Sequence, residues 1–306
     1  MATRKLVNAA TAESKPRRKA SANRPPPRKP KLGQNFLRDP HTAARIVDAL
    51  GEISSRTVVE IGPGPGILTD ILAERARHLI AVELDRVLTA QLRMKFARKV
   101  NVEIIEANIL DVSLAGLLRT RTQPLAGMAA QTPVTKVDVI GNLPYYITSD
   151  ILLRLLDQHE GIDRIVIMVQ KEVADRIAAK PGSRDYGLLS ATAQLHAKVE
   201  KLFIVPPGAF QPPPQVHSAV LRLTIAPREE ELGVDGGAFI DFLKLSFAQK
   251  RKTLLNNLKS TFRDDAIRAA LKTSGVRADA RAEALGLEKL AGVFRQLQPH
   301  SVLRSG

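Results

Sequence analysis

The segment Gly141–Tyr146, with the sequence Gly-Asn-Leu-Pro-Tyr-Tyr, combines an amide side chain with an aromatic ring directly after an apolar run. An aromatic amine such as adenine N6 is a weak nucleophile because its lone pair is delocalised into the ring. It attacks only when acceptors hold its two hydrogens and bend the nitrogen toward sp³ geometry. The Asn142 Oδ1 atom and the Leu143 carbonyl are candidate acceptors, Pro144 stiffens the turn, and the Tyr145 ring can stack on a base. The alternative is a strand-end turn with two half-buried tyrosines.

A second candidate site is the loop Glu60–Gly66, with the sequence Glu-Ile-Gly-Pro-Gly-Pro-Gly, between a predicted strand and a predicted helix. Glycines at alternate positions let a backbone approach a ligand where a Cβ would collide. Dinucleotide folds space their glycines G-x-G-x-x-G, which places a pyrophosphate on the helix N-terminus. Here the third glycine comes one residue earlier and the loop starts with an acid. The pattern therefore favours a nucleoside without phosphates, such as S-adenosylmethionine, over a nicotinamide dinucleotide.

Polar residues at the ends of the next two strands fit the same ligand. Glu83 ends the second predicted strand, where a carboxylate can accept hydrogen bonds from both ribose hydroxyls. The alternative is a solvated acid at a strand end. Asn108 follows the third predicted strand and places an amide where it can bond the amine of an adenine. With the glycine loop, these residues predict a cofactor pocket.

The elements that must position these residues alternate between strands and helices. The strands are predicted over 57–61, 78–83, 101–106, 137–140, 164–169, 199–205 and 218–225. The helices are predicted after the N-cap Asp39 and over 67–76, 86–98, 148–156 and 188–197, with another from Lys171. Repeated strand–helix units with apolar strands predict an α/β fold with a doubly wound, mostly parallel sheet.

The chain divides into regions of different composition. Residues 1–30 mix Ala, Ser, Pro, Lys and Arg without apolar periodicity, which predicts a disordered basic arm. A catalytic domain is predicted over 31–228, with an unpatterned surface insertion at 120–135. Residues 238–306 predict a helical domain, in which Phe239–Lys259 has the apolar spacing of one long helix. Two shorter helices near 264–274 and 287–297 follow.

Charge and composition limit the kinds of partner and chemistry that we expect for this chain. The net charge is +15, and residues 1–31 carry ten Lys and Arg against Glu13 alone, while residues 238–306 carry 13 basic against 6 acidic residues. Two basic regions around a near-neutral core favour a nucleic-acid or ribosome partner over a tail that only aids solubility. The absence of cysteine excludes disulfides, thiolate metal sites and a Cys nucleophile. No membrane-length or secretory apolar run occurs, so we expect a cytoplasmic chain with no membrane partner.

These motifs together resemble the ribosomal RNA adenine N6,N6-dimethyltransferase family. They are Gly33–Leu37, Glu60–Gly66, Glu83, Asn142–Tyr145 and Phe210–Ser218. They occur in the order of the family and cover about residues 31–300. The resemblance implies a class I S-adenosylmethionine-dependent methyltransferase domain, which is Rossmann-like, with a small all-α C-terminal domain. It also implies S-adenosylmethionine as the cofactor, dimethyladenosine as the product and no metal.

The resemblance also assigns roles on the cofactor side. Asn35 and Leu37 would help close the cofactor pocket, and Gly62 would line it. Glu83 would bind the ribose and Asn108 the adenine of the cofactor. The family usually has Asp where this chain has Asn108. An amide oxygen accepts without a charge, so we expect weaker cofactor binding.

On the target side, the resemblance implies that Asn142 borders the methionine part of the cofactor and binds the target amine. The Leu143 carbonyl would be the second acceptor. Tyr145 would stack on the target base, and Phe210 would close the other face of that base. His217 lies near this motif and is expected to support the turn rather than to act as a base.

Two C-terminal segments, Phe247–Leu258 and Arg281–Leu285, resemble the small-subunit (16S rRNA) housekeeping branch of the family. That branch methylates two adjacent adenosines in a hairpin loop near the 3′ end of small-subunit RNA, inside an assembling particle. The expected partners are therefore small-subunit ribosomal RNA and the assembling small subunit, with the chain acting as a monomer. Lys250–Lys252 would grip phosphates or form a solvated helix face. The alternatives are a large-subunit rRNA adenine dimethylase and a non-catalytic nucleic-acid-binding factor of the same fold.

Overall fold

The computed structural model of the chain describes residues 35–119 and 136–298. The predicted arm 1–30 and the predicted insertion 120–135 lie outside these residues. The described residues belong to one compact unit. None of the helices within the two described ranges is long and apolar enough to cross a membrane.

The described strands and helices follow the chain in nearly the predicted order. The strands are β1 Phe36–Leu37, β2 Thr57–Ile61, β3 His78–Glu83, β4 Val102–Glu106, β5 Val137–Asn142, β6 Ile162–Gln170, β7 Ala197–Val205, β8 Phe210–Gln211 and β9 Ser218–Ile225. The helices are α1 Pro40–Asp48, α2 Ile67–Arg75, α3 Arg86–Lys95, α4 Leu114–Arg119, α5 Thr148–Asp157, α6 Lys171–Ile177, α7 Leu188–His196, α8 Glu229–Leu232, α9 Gly236–Ser246, α10 Leu254–Leu258, α11 Asp264–Thr273 and α12 Leu287–Leu297.

The main sheet has seven strands in the order β4-β3-β2-β5-β6-β9-β7, and β9 runs antiparallel to both of its neighbours. The other pairings are parallel, which confirms the predicted α/β fold with a mostly parallel sheet. The chain builds outward from β2 to β4 and then returns to place β5 on the other side of β2. In such sheets a ligand binds at this reversal, beyond the carboxyl ends of the strands. The predicted motifs Glu60–Gly66 and Gly141–Tyr146 begin at the ends of β2 and β5. These two ends are adjacent, because Ile61 pairs with Gly141.

Helices cover both faces of the sheet, which explains why its central strands are continuously apolar. Successive residues of a strand point to opposite faces. In β2, Val58 packs in the cluster that contains α1, α2 and α3, whereas Val59 packs in the cluster that contains α5, α6 and α7. A third cluster joins the C-terminal helices to Tyr186 and to one face of α7.

The prediction of one long helix over Phe239–Lys259 is wrong, because a turn separates α9 from α10. The Asn257 Nδ2 atom donates to the carbonyls of Ser246 (2.7 Å) and Gln249 (3.2 Å), which a continuous helix would engage with its own N–H groups. Thr253 then caps α10 through its side chain. Both helices bury their apolar residues in the same third cluster, so the spacing continues across the break.

Candidate active site

The glycine loop after β2 leaves an open space at its centre. Gly62 has φ +63°, and a Cβ built on it would meet nothing within 4 Å. Gly64 has φ +57°, and a Cβ there would lie 2.9 Å from the Phe36 ring. L-residues with a side chain rarely adopt these backbone angles, so both positions favour glycine. The loop therefore presents bare backbone to a ligand at the carboxyl end of β2, beneath a segment held by Phe36.

Glu83 fastens this loop to the end of β3. Its carboxylate is 3% exposed, its Oε2 atom accepts from the Gly64 N–H (3.1 Å) and its Oε1 atom accepts from the Asp85 N–H (2.9 Å). Each carboxylate oxygen has a further lone pair available. The two backbone donors fix the orientation of the group, so it is ready to accept two ribose hydroxyls. These free acceptors fit the ribose hydroxyls in the nucleoside part of S-adenosylmethionine.

Asn108 caps the short 3₁₀ turn Ile109–Asp111, because its Oδ1 atom accepts from the Leu110 N–H (3.2 Å). No hydrogen bond from another described residue engages its amide NH₂ group. The Oδ1 atom keeps one lone pair free. Its binding to the exocyclic amine of an adenine stays a prediction. An aspartate at this position would cap the turn equally well and would add a negative charge.

Glu60, the acid that begins the loop, is 1% exposed, and neither carboxylate oxygen has a hydrogen-bond partner among the described residues. Burial raises the pKa of Glu60 to about 8, and the neighbouring Glu83 carboxylate adds to the shift. The Thr69 hydroxyl opposes it from nearby but lies outside hydrogen-bond geometry. Burial therefore favours the protonated form of Glu60 at neutral pH.

On the other side of the chain reversal, Asn142 ends β5. Its preceding residue must be glycine, because a Cβ on Gly141 would lie 2.7 Å from the Ile61 carbonyl oxygen of β2. The Asn142 Nδ2 atom donates to the Asn35 carbonyl (3.2 Å), and no described residue donates to its Oδ1 atom. The Leu143 N–H is bound to the Met168 carbonyl (3.0 Å), whereas the Leu143 carbonyl is free of described partners. Both predicted acceptors are thus unengaged at the end of β5.

Tyr145 is anchored to a second loop. Its hydroxyl lies 2.8 Å from the Ser218 Oγ atom, and Ser218 is fully buried at the start of β9. Burial raises the pKa of the Tyr145 hydroxyl, and the bond to Ser218 acts in the opposite direction. Sequence reasoning missed Ser218 as a site residue, although it ends the proline-rich motif. The exposed His217 contributes its carbonyl to the Lys171 N–H (2.9 Å), in agreement with its expected support of the turn.

A small antiparallel pair of strands joins the two remaining motifs. In it Leu37 of β1 lies opposite Phe210 of β8, and the Arg38 N–H donates to the Ala209 carbonyl (2.8 Å). The Asn35 carbonyl accepts from Asn142, whereas the Leu37 side chain is buried in the core. The Phe210 ring is 3% exposed within the core. Its stacking on a target base stays a prediction, and it requires the ring to leave this cluster.

Away from this site, His159, His196 and Glu229 place possible metal-ligand atoms within 4.8 Å of one another. The spacing of these residues in the sequence gave no sign of the group. The two imidazole rings are stacked, with centroids 4.4 Å apart and 26° between their planes. Ring nitrogen lone pairs lie in the ring plane, so nearly parallel rings do not direct them at one ion. The His196 Nδ1 atom lies 2.8 Å from the Glu229 Oε1 atom, and burial lowers the pKa of His196, which favours its neutral form. We assign the group a packing role.

The strand order, with an antiparallel β9 between β6 and β7, and a glycine loop that admits a nucleoside beside Glu83 define a class I S-adenosylmethionine-dependent methyltransferase. Residues 27–298 match the ribosomal RNA adenine dimethylase family. The chain therefore belongs to that family.

Two relatives support the same assignment. The chain is 59% identical to the ribosomal RNA small subunit methyltransferase A of Koribacter versatilis, over 92% of this chain and 99% of that protein. It is 54% identical to the protein of the same name from Acidobacterium capsulatum, over 89% and 92% of the two chains. These matches confirm the predicted family and its small-subunit branch.

Solved structures agree with the fold. A dimethyladenosine transferase from Plasmodium falciparum superposes with a TM-score of 0.68 at 21% identity, over 87% of this chain and 100% of that chain. The 23S rRNA methyltransferase ErmE superposes with a TM-score of 0.62 at 27% identity, over 86% and 99%. The fold extends through the C-terminal helices in both comparisons.

Proposed function

We propose that the chain transfers methyl groups from S-adenosylmethionine to N6 of two adjacent adenosines in a hairpin loop near the 3′ end of small-subunit ribosomal RNA. The reaction takes place in the cytoplasm during assembly of the small subunit, with the chain acting as a monomer. The observation that carries this proposal is the 59% identity, over nearly all of both chains, with a small-subunit methyltransferase A.

The geometry of Asn142 supports the chemistry. Its amide NH₂ group is held by the Asn35 carbonyl, which leaves the Oδ1 atom to accept one hydrogen of the target amine. The Leu143 carbonyl accepts the other hydrogen. These two acceptors pull the amine out of conjugation and favour the positive charge that develops on nitrogen. Tyr145, fixed by Ser218, holds the base by stacking.

The bound cofactor supplies an electrophilic methyl group on a sulfonium. The N6 lone pair would take this methyl group, with the sulfonium leaving as a neutral thioether, and the methylated nitrogen would then lose a proton to water. The attacking amine is neutral, so the chain needs acceptors and alignment rather than a general base. A second transfer at the same nitrogen gives dimethyladenosine.

Cofactor binding is assigned to the residues around the glycine loop. Gly62 leaves space for the ligand, Glu83 accepts the ribose hydroxyls and Asn108 accepts the amine of the adenine. Asn35 closes the pocket through its bond to Asn142. Leu37 supports that closure from the core.

We also propose the division into a catalytic domain over 31–228 and a helical domain over 238–306, with the basic arm 1–30 and Lys250–Lys252 gripping RNA phosphates. The Lys250 Nζ atom lies 2.5 Å from the Arg184 carbonyl, so an RNA phosphate would replace or join this contact.

Deleting residues 1–30 should weaken RNA binding and flatten its salt dependence, measured by titration at several salt concentrations. An unchanged salt slope removes the arm from RNA binding.

Methyl transfer from labelled S-adenosylmethionine tests the substrate. Small and large ribosomal subunits that lack their adenine dimethylations are incubated separately with the purified chain. We expect incorporation into the small subunit alone. Incorporation into the large subunit would favour the other branch, and RNA binding without incorporation would favour a non-catalytic factor.

A further inference from the structure

Tyr146, which follows the target-stacking tyrosine, has no role in the chemistry described above. It is 62% exposed, and it is the one aromatic residue among the exposed large apolar side chains of the described residues. Among the described residues, no side-chain hydrogen bond and no contact with another aromatic ring engages Tyr146. An exposed ring beside an active site is available to a ligand, because it costs no rearrangement of the core.

The backbone holds this ring in a defined place. The turn is closed by the Thr148 Oγ1 bond to the Pro144 carbonyl (2.9 Å) and by the Ile147 N–H to the same carbonyl (3.3 Å). Tyr145 points inward to Ser218, so Tyr146 points outward from the same rigid turn. Because the backbone at Tyr146 is fixed, only the two side-chain torsions of the tyrosine are ordered when a partner stacks on it.

A second exposed apolar side chain belongs to the facing loop. Val216 is 45% exposed and lies two residues before Ser218, the partner of Tyr145. The Tyr145–Ser218 bond therefore ties together two loops that each carry one exposed apolar group at the mouth of the target pocket. Each of these side chains lies within two residues, along the chain, of one member of the Tyr145–Ser218 pair.

We propose that Tyr146, with Val216 beside it, is the stacking platform for the RNA base next to the adenine being methylated. This inference rests on the proposed function, in which the neighbouring base is the second target adenosine. Extruding the target base removes a stacking partner from its neighbour. An aromatic ring replaces that partner without sequence preference, because every base has a π-face. The platform thus holds one adenosine outside the pocket while the other reacts.

Steady-state kinetics on small subunits lacking the methylations test the platform. We expect Tyr146→Ala to raise KM for the subunit by about 5- to 100-fold, the range for stacking of one base, with KM for S-adenosylmethionine unchanged. Tyr146→Phe keeps the ring and should stay within about twofold of wild type. Val100→Ala, an exposed apolar residue before β4 at the opposite end of the strands, is the matched control.

Direct binding makes the same comparison without turnover. A fluorescent, single-stranded, adenosine-rich RNA oligonucleotide is titrated with each variant, and its anisotropy gives the dissociation constant. Weaker binding by Tyr146→Ala, with Tyr146→Phe and Val100→Ala unchanged, supports the platform. Equal binding and equal KM for Tyr146→Ala and wild type overturn it, as does an equal loss in Tyr146→Phe. Wild-type chain that binds RNA but does not methylate small subunits counts against the proposed function instead.

Discussion

On the cofactor side of the proposed active site, the two Glu83 carboxylate oxygens accept hydrogen bonds from the Gly64 and Asp85 N–H groups. On the target side, the Asn142 Nδ2 atom donates to the Asn35 carbonyl, and the Oδ1 acceptor has no partner among the described residues. Both groups are oriented by backbone contacts before any ligand arrives. In the proposed function, the first side accepts hydroxyl hydrogens of the cofactor ribose, away from the bond that breaks, whereas the second accepts hydrogens of the amine that reacts. We therefore expect changes on the first side to alter affinity and changes on the second to alter the rate.

Asn142→Ala should produce the largest effect. We expect kcat for methyl transfer to fall by at least about 10²–10³-fold, the cost of removing one oriented group that stabilises developing charge. RNA binding should stay within about twofold, because the phosphate contacts are elsewhere. Labelled methyl transfer and RNA titration measure the two quantities, with Asn256→Ala, an exposed asparagine of α10, as the control. Turnover at the wild-type rate would remove Asn142 from the chemistry.

Glu83→Gln should act mainly on the cofactor. The substituted amide places an NH₂ group against one of the two backbone donors and loses the charge that strengthens both bonds. Hydrogen bonds to charged groups contribute about 1.5–3 kcal/mol, so the dissociation constant for S-adenosylmethionine should rise about 10- to 100-fold. Calorimetric titration measures it.

The control for this change is Glu106→Gln, an exposed glutamate at the end of β4. It should leave cofactor affinity within about twofold of wild type. An equal loss in both variants would show a general charge effect rather than a specific pocket.

Residues on both sides of the site show what the sequence alone can predict. The positions of Gly62 after β2 and of Glu83 at the end of β3 were predictable because each cue is local to an apolar strand. Their roles in cofactor binding stay predictions. Asn142 was predicted to lie in the turn after the strand 137–140, whereas in the structure β5 extends through Asn142. The carboxyl ends of parallel strands meet at one edge, so the fold brings such local cues together without further information.

Contacts between distant parts of the chain were not predictable in this way. The two-residue strands β1 and β8 are too short to carry a periodic pattern, and they pair across most of the domain. The Tyr145 hydroxyl bonds to Ser218, which is distant in the sequence, and neither residue type predicts this partner. The break after Ser246 was also hidden, because α9 and α10 bury their apolar residues in one cluster.

Ser218→Ala should have a smaller effect on the target side. It removes the partner of the Tyr145 hydroxyl, and a net hydrogen bond of about 1 kcal/mol corresponds to roughly a fivefold loss in kcat/KM for the RNA. Cofactor affinity should not change. Tyr145→Phe removes the same bond from its other end, so the double variant should be no worse than either single variant. Additive losses would show that Ser218 acts independently of Tyr145.

Asn108→Asp should have the smallest effect and the opposite sign. The aspartate keeps the cap of the 3₁₀ turn and adds a charge to the acceptor of the adenine amine. We expect the dissociation constant for S-adenosylmethionine to fall by about two- to fivefold, with kcat unchanged. Calorimetric titration beside wild type checks this. Unchanged or weaker binding would mean that Asn108 does not face the adenine.

Nucleoside analysis of the methylated RNA tests the account most directly. Small subunits without the modification are incubated with the wild-type chain and labelled S-adenosylmethionine, and the RNA is digested and separated. The proposed function predicts that the label appears as N6,N6-dimethyladenosine, from two adjacent positions near the 3′ end. Label in another nucleoside, or in none, would contradict a site in which Asn142 and Leu143 hold an adenine amine for methylation.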